Sequence, residues 1–156
     1  MNGERTLKII EYDPKYKQDF IDFNTAWIVD NFGFLEDEDR ETFEKIDEEL
    51  KTGAMIYFAV DNGVALATCM AKPMTDGTWE ICKFASNKNV SHKGCGSKVF
   101  EAAMKWATDH GAKRLFMISN SKLKPAIHIY EKYGFKEIKL DNYEYIRGDV
   151  AFEKML

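Results

Sequence analysis

The 156 residues carry 22 Lys and Arg against 26 Asp and Glu, a formal charge of −4, with 45% apolar and 31% charged residues. That composition suits one soluble domain over residues 1–156, large enough to bury a core without disulfides or structural metal. The acidic balance argues against a nucleic-acid partner, which would need cations to neutralise phosphate, and three cysteines and three histidines without ligand spacing argue against a metal site.

The opening MNGERTLKIIEYDPKYKQDF lacks the apolar core of a signal peptide, and no run of about 18 apolar residues occurs, so cytoplasmic residence away from membranes is expected. Thr6 to Tyr12 reads as a first strand, ended by Asp13-Pro14. Phe20, Phe23 and Trp27 then give one apolar face to a helix from about Tyr16 to Asn31. After Gly33 the acidic block Glu36-Asp37-Glu38-Asp39 opens a second helix, where negative charge favours the first turn. Phe43, Ile46 and Leu50 form its buried face before Gly53 ends it.

Met55 to Val60 is an apolar run joined through Asp61-Asn62-Gly63 to Val64 to Met70, a hairpin signature. Thr75-Asp76-Gly77 turns the chain into a third strand of this group, which carries Trp79, Ile81 and Phe84. That strand stops in a polar loop, and Gly94-Cys95-Gly96-Ser97 leads into a helix that runs to His110. A helix N-terminus offers unpaired N–H groups and partial positive charge, so a glycine-lined loop before it can cradle phosphate oxygens; a plain tight turn is the competing reading. Neither the lysine-bearing P-loop nor a complete G-x-G-x-x-G is present.

The helix carries Val99, Ala102, Ala103, Trp106 and Ala107 on one side and stops at Gly111. Lys113 to Ser119 follows as a near-continuous apolar strand, Pro125 opens a short helix closed by Gly134, and Phe135 to Ile138 and Tyr143 to Lys154 supply two last strands. The pattern is α/β, a mixed and mostly antiparallel sheet with helices on both faces. Alternation places Glu80, Cys82 and Phe84 on one strand face, which makes Glu80 a candidate base; a solvated strand glutamate is the alternative.

Two segments carry a resemblance. Ser91-His92-Lys93-Gly94-Cys95-Gly96 is similar to the Gln/Arg-x-x-Gly-x-Gly/Ala loop that follows the fourth strand in the GNAT acyltransferase superfamily, with Ser91 in the place of the usual Gln or Arg. Asn120 to Phe135, NSKLKPAIHIYEKYGF, resembles that family's Asn…Ala-x-x-x-Tyr-x-x-x-Gly-Phe motif. The resemblance implies a GNAT-like fold and an acetyl-CoA donor whose pyrophosphate meets the backbone of His92, Lys93, Gly94, Cys95, Gly96 and Ser97.

It also implies that Phe84, Ala85 and Ser86 offer backbone groups to the pantetheine arm, that Asn120 hydrogen-bonds the arm, and that Tyr130 is the general acid. Ile127, Tyr130 and Tyr133 also fall at a spacing that suits core packing. Lys93, Lys98 and Lys124 would attract the cofactor's charge. Cys95 would lie at the phosphate end, away from the thioester, and His128 has no metal-ligand spacing to another histidine. The implied activity is direct acetyl transfer to a small amine, an amino acid or a protein amino group, with homodimerisation left open; a non-catalytic module that binds CoA or a protein is the alternative.

Overall fold

The computed structural model describes residues 7–90, 94–143 and 147–156. Its strands are β1 (Lys8–Glu11), β2 (Met55–Asp61), β3 (Val64–Pro73), β4 (Thr78–Ser86), β5 (Arg114–Ser119), β6 (Lys136–Ile138) and β7 (Val150–Met155). Its helices are α1 (Lys17–Phe32), preceded by a single 3-10 turn, then α2 (Asp37–Glu44), α3 (Ile46–Lys51), α4 (Cys95–Asp109) and α5 (Lys124–Lys132). The strands form one sheet in the order β1-β2-β3-β4-β5-β7-β6, antiparallel except where β4 runs beside β5. The expected α/β class and mostly antiparallel sheet are therefore present.

Local chemistry sets several of these boundaries. Asn62 and Gly63 take φ of 51° and 77°, the paired left-handed geometry that lets a two-residue turn follow the twist of β2 and β3. The acidic stretch makes two helices where one is expected. Thr42 bonds its hydroxyl back to the Glu38 carbonyl, and the Lys45 N–H is shared between Glu41 and Thr42 oxygens, the tightening typical of a helix end.

The last strand starts at Val150 and not at Tyr143, and residues 144–146 within the expected span lie outside the described residues. The chain just before Val150 is turned towards the loop after β5. Asp149 accepts from the Ser121 N–H and hydroxyl, both at 2.7 Å, and Asn120 donates to the Arg147 carbonyl. Backbone groups committed there are not available for strand pairing.

The sheet separates two apolar clusters. On one face Trp79, Ile81, Leu115 and Met117 pack with Val99, Phe100 and Ala103 of α4 and with Tyr130 of α5. On the other face Ile56, Phe58 and Met70 pack with Phe20, Phe43 and Ile46 from the first three helices. The fully buried face of α1 is Phe20, Asn24 and Ile28, at i, i+4 and i+8, whereas Phe23 and Trp27 are half-buried at its side. That rotation leaves Trp27 available to line a cleft. No helix among the described residues is long and apolar enough to cross a membrane.

Candidate active site

β4 and β5 pair only through Thr78–Arg114, Trp79–Leu115 and Glu80–Phe116. Beyond Glu80 the two strands diverge, so a run of β4 backbone through Ser86 faces the gap without a strand partner on that side. A buried stretch of extended backbone must place its N–H and C=O groups somewhere, and an extended ligand is one suitable partner.

A bulge lies on β4 beside the split. Thr68 pairs with Ala85 and Met70 with Cys82, so β4 spends one more residue than β3 over this interval, and Lys83 takes a φ of 50°. Cys82 and Lys83 consequently both turn towards α1 and α2, while Ile81 and Phe84 turn towards α4. The expectation that Glu80, Cys82 and Phe84 share one face fails at Phe84, because a bulge resets strand alternation. Phe84 instead packs on Phe100, with ring centroids 5.4 Å apart.

The resulting cleft has a volume of about 660 Å³, and both Glu80 and Tyr130 line it, together with Phe84, Ala85, Ser86 and Asn120. Glu80 is 3% exposed, so it is not a solvated strand residue. Burial raises its carboxyl above the usual range, the charges of Glu38 and Glu49 add to this, and Lys72 and Lys83 oppose it. A carboxyl tuned upward in a cleft is a better match for proton uptake near neutral pH.

Tyr130 reaches the cleft from the opposite face of the sheet. Its ring stacks on Phe100 at 5.8 Å and tilts against Phe152 at 5.4 Å, and it is 8% exposed. Burial pushes its hydroxyl up to about 12, with hydrogen bonding from Ser119 in partial opposition, so it holds its proton throughout the neutral range. The Cys82 thiol also lines the cleft, but burial and the Glu80 charge push it well up, which leaves it un-ionised and a poor nucleophile.

Among the glycine-loop residues, Gly94 precedes α4 as its N-cap at a φ of 84° and, as a glycine, brings no side chain to the helix start. A Cβ on Gly94 would meet nothing within 4 Å, whereas a Cβ on Gly96 would stand 3.3 Å from the Phe84 ring. Gly96 is therefore small because β4 and α4 meet there. Cys95 is buried and Ser97 half-buried, while His92 and Lys93 lie outside the described residues.

Two predicted contacts sit differently from the rest. Lys124 lines a separate pocket with Ile127, His128 and Glu131 of α5, near Asp149, and does not line the main cleft. Asn120 lines the cleft, but its amide nitrogen donates to Arg147 O at 2.7 Å and its carbonyl accepts from Lys122 N at 3.0 Å. His128 is exposed and contacts Glu131.

Sequence reading missed a charged cluster against the bulge. Asp39 accepts from Lys83 at 2.7 Å and from both Arg147 terminal nitrogens at 2.7 and 2.8 Å, and Glu36 also meets Arg147 at 3.3 Å. One sequence trace was the acidic block, which reads equally well as a solvated helix start. Residues far apart in sequence supply the cations, so no local spacing announces them. Among the described residues, no group of three or more His, Cys, Asp or Glu side chains is placed to hold a metal ion.

The model of the acetyltransferase (GNAT) family matches residues 20–135. In fold, the chain is similar to a GNAT-family acetyltransferase from Staphylococcus aureus Mu50, with a TM-score of 0.84 and 18% identity over 96% of this chain and 99% of that one. It is similar also to the PaiA N-acetyltransferase of Thermoplasma acidophilum, solved with coenzyme A (TM-score 0.76, 17% identity, 97% and 99% covered). A third is yncA of Salmonella typhimurium, solved with its cofactor acetyl-CoA (TM-score 0.77, 13% identity, 96% and 93% covered). No curated protein sequence matches the chain.

Proposed function

The chain belongs to the GNAT acetyltransferase family, and on that premise we propose that it moves the acetyl group of acetyl-CoA directly onto an amine. The observation that carries this reading is that Glu80 and Tyr130 enter one cleft from opposite faces of the sheet, where β4 and β5 part. One is a buried carboxyl with a raised pKa and the other a phenol that stays protonated.

In the proposed reaction the amine lone pair attacks the thioester carbonyl carbon, a C–N bond forms and the C–S bond breaks. Glu80 takes the proton lost by the amine, directly or through water, and Tyr130 gives its proton to the departing CoA thiolate, so the products are an N-acetylamine and free CoA thiol. No covalent enzyme intermediate is needed, which accords with the un-ionised Cys82 thiol. The donor's pantetheine arm would lie along the edge of β4 that has no strand partner at Phe84, Ala85 and Ser86, with its pyrophosphate at the glycine-led start of α4.

The test is release of CoA thiol from acetyl-CoA over an amine panel, with mass spectrometry of the acetylated product. Transfer that is lost in Glu80→Gln and Tyr130→Phe supports the reading. Acetyl-CoA binding with no acetylated product from any amine overturns it in favour of a binding module.

A further inference from the structure

The side of the cleft opposite the proposed donor path is walled by α1, and its composition restricts the acceptor. Trp27, Ile28 and Phe32 line it with Asn24, and none of these four carries charge. The Trp27 and Phe32 rings meet edge-on with centroids 5.9 Å apart. Asn24 is 2% exposed; one amide N–H goes to the Phe20 carbonyl at 2.9 Å, and its side-chain oxygen can accept from an N–H.

The charged groups that line the cleft are Lys83, Lys88, Lys122 and Arg147, against Glu80 as the one carboxylate among the described lining residues. The described acids that touch these cations are engaged by them. Asp39 holds Lys83 and Arg147, and Asp30 holds Lys88 at 3.2 Å. Lys122 bonds the Asn31 carbonyl at 2.6 Å, and its ammonium sits 4.4 Å from the centroid of the Phe32 ring. One amine can thus be received at Glu80, but a second ammonium on the same molecule would meet cations and no second carboxylate among the described lining residues.

We propose that the acceptor is a monoamine carried on an apolar or aromatic body, seated against Trp27, Ile28 and Phe32 with its amine directed to Glu80, and not a polyamine or a lysine-rich peptide. This rests on the acyl-transfer reading above. Apolar contact with the α1 wall supplies the affinity, because removing such a body from water is favourable while the wall asks for no countercharge. Discrimination against a second cation comes from its loss of hydration without a paired acid.

The experiment compares kcat/KM for 2-phenylethylamine, spermidine and a lysine-rich peptide at saturating acetyl-CoA. The expected result is a preference of tenfold or more for 2-phenylethylamine, and Trp27→Ala should raise its KM several-fold without changing acetyl-CoA affinity measured by calorimetry. Trp27→Glu, which places a carboxylate on the wall, should narrow the gap to spermidine. Spermidine or the peptide as the better substrate of the unaltered protein, with CoA thiol released, overturns this inference and leaves acyl transfer standing. Acetyl-CoA binding without transfer to any of the three, or to a wider amine panel, overturns both.

Discussion

The Lys83 ammonium and the Asp39 carboxylate meet at 2.7 Å with side chains 5% and 0% exposed, so a cation three residues from Glu80 is held by an acid of α2. The bulge makes the contact, because it turns Lys83 to the same face as Cys82. Glu80 itself is faced by Lys72 from β3, Lys83 from β4, Glu38 from α2 and Glu49 from α3. Lys83 opposes the burial that raises the Glu80 carboxyl, and Asp39 in turn offsets part of that cation's field.

If Glu80 is the base, the two partners should therefore move the acid limb of the kcat/KM profile in opposite directions. Lys83→Met removes a charge that favours the carboxylate, so the limb moves to higher pH. Asp39→Asn leaves Lys83 and Arg147 less compensated, so the limb moves to lower pH. A plain loss of stability would not give shifts of opposite sign. Limbs that move together, or not at all, would remove the tuning role.

Asp39 also predicts a stability profile. Burial alone would raise its carboxyl, but hydrogen bonds from Arg147 and Lys83, the Lys83 charge and the Glu36 N–H hold it at about 2. A group lowered in the folded state adds stability above its unfolded pKa of about 4, and that stability is lost as pH falls through the folded value of about 2. The contribution is on the order of 2 kcal/mol at neutral pH. Urea midpoints should fall in this acid window for the parent, and Asp39→Asn should show a flatter acid dependence; equal slopes would refute the linkage. Since the substitution leaves buried cations short of a partner, it should also cost about 3–5 kcal/mol at neutral pH.

Gly94 and Gly96 should both matter to acetyl-CoA affinity, for different reasons. Gly94 sits at positive φ with open space around it, so Gly94→Val strains the backbone by about 1–2 kcal/mol and puts a side chain where the phosphates are proposed to lie. Gly96→Val pushes on Phe84, displacing the β4 edge beside the proposed pantetheine path. Calorimetry should record weaker binding for both. Affinity unchanged in folded Gly94→Val would rule out the cradle.

What sequence made legible was mainly local. The turns at Asn62-Gly63 and Asp76-Gly77, the helix from Gly94 and the strand-loop-helix order each have short-range causes, and they sufficed for the class of fold. Glu80 and Tyr130 could be singled out, one by position on its strand and one by resemblance. The place where Phe84 points could not, because a bulge is a register event between β3 and β4 that strand alternation alone does not encode. The α1 wall was hidden for a related reason. Phe20, Phe23 and Trp27 make a plausible apolar stripe, yet packing buries Asn24 in its place once the amide can bond Phe20 O. The Asp39, Lys83 and Arg147 cluster joins residues 44 and 108 positions apart, a distance over which single-sequence spacing carries no signal.

Tyr130→Phe separates chemistry from packing most cleanly. The ring contacts with Phe100 and Phe152 survive the change, and the lost hydroxyl forfeits only its hydrogen bonding with Ser119, worth about 1 kcal/mol. Fold and acetyl-CoA affinity should thus be nearly intact. Positioned acid catalysis typically contributes roughly 10²–10⁴-fold, so kcat should fall within that range if Tyr130 protonates the thiolate. Because burial holds the hydroxyl at about 12, its proton remains available across neutral pH, and Tyr130 should contribute no basic limb there. The acid role also predicts a leaving-group effect. A thioester whose thiol is more acidic needs less proton donation, so Tyr130→Phe should lose less activity with an activated acyl donor than with acetyl-CoA. A Tyr130→Phe protein that binds acetyl-CoA and transfers its acetyl group at the parent rate would make Tyr130 a packing residue only.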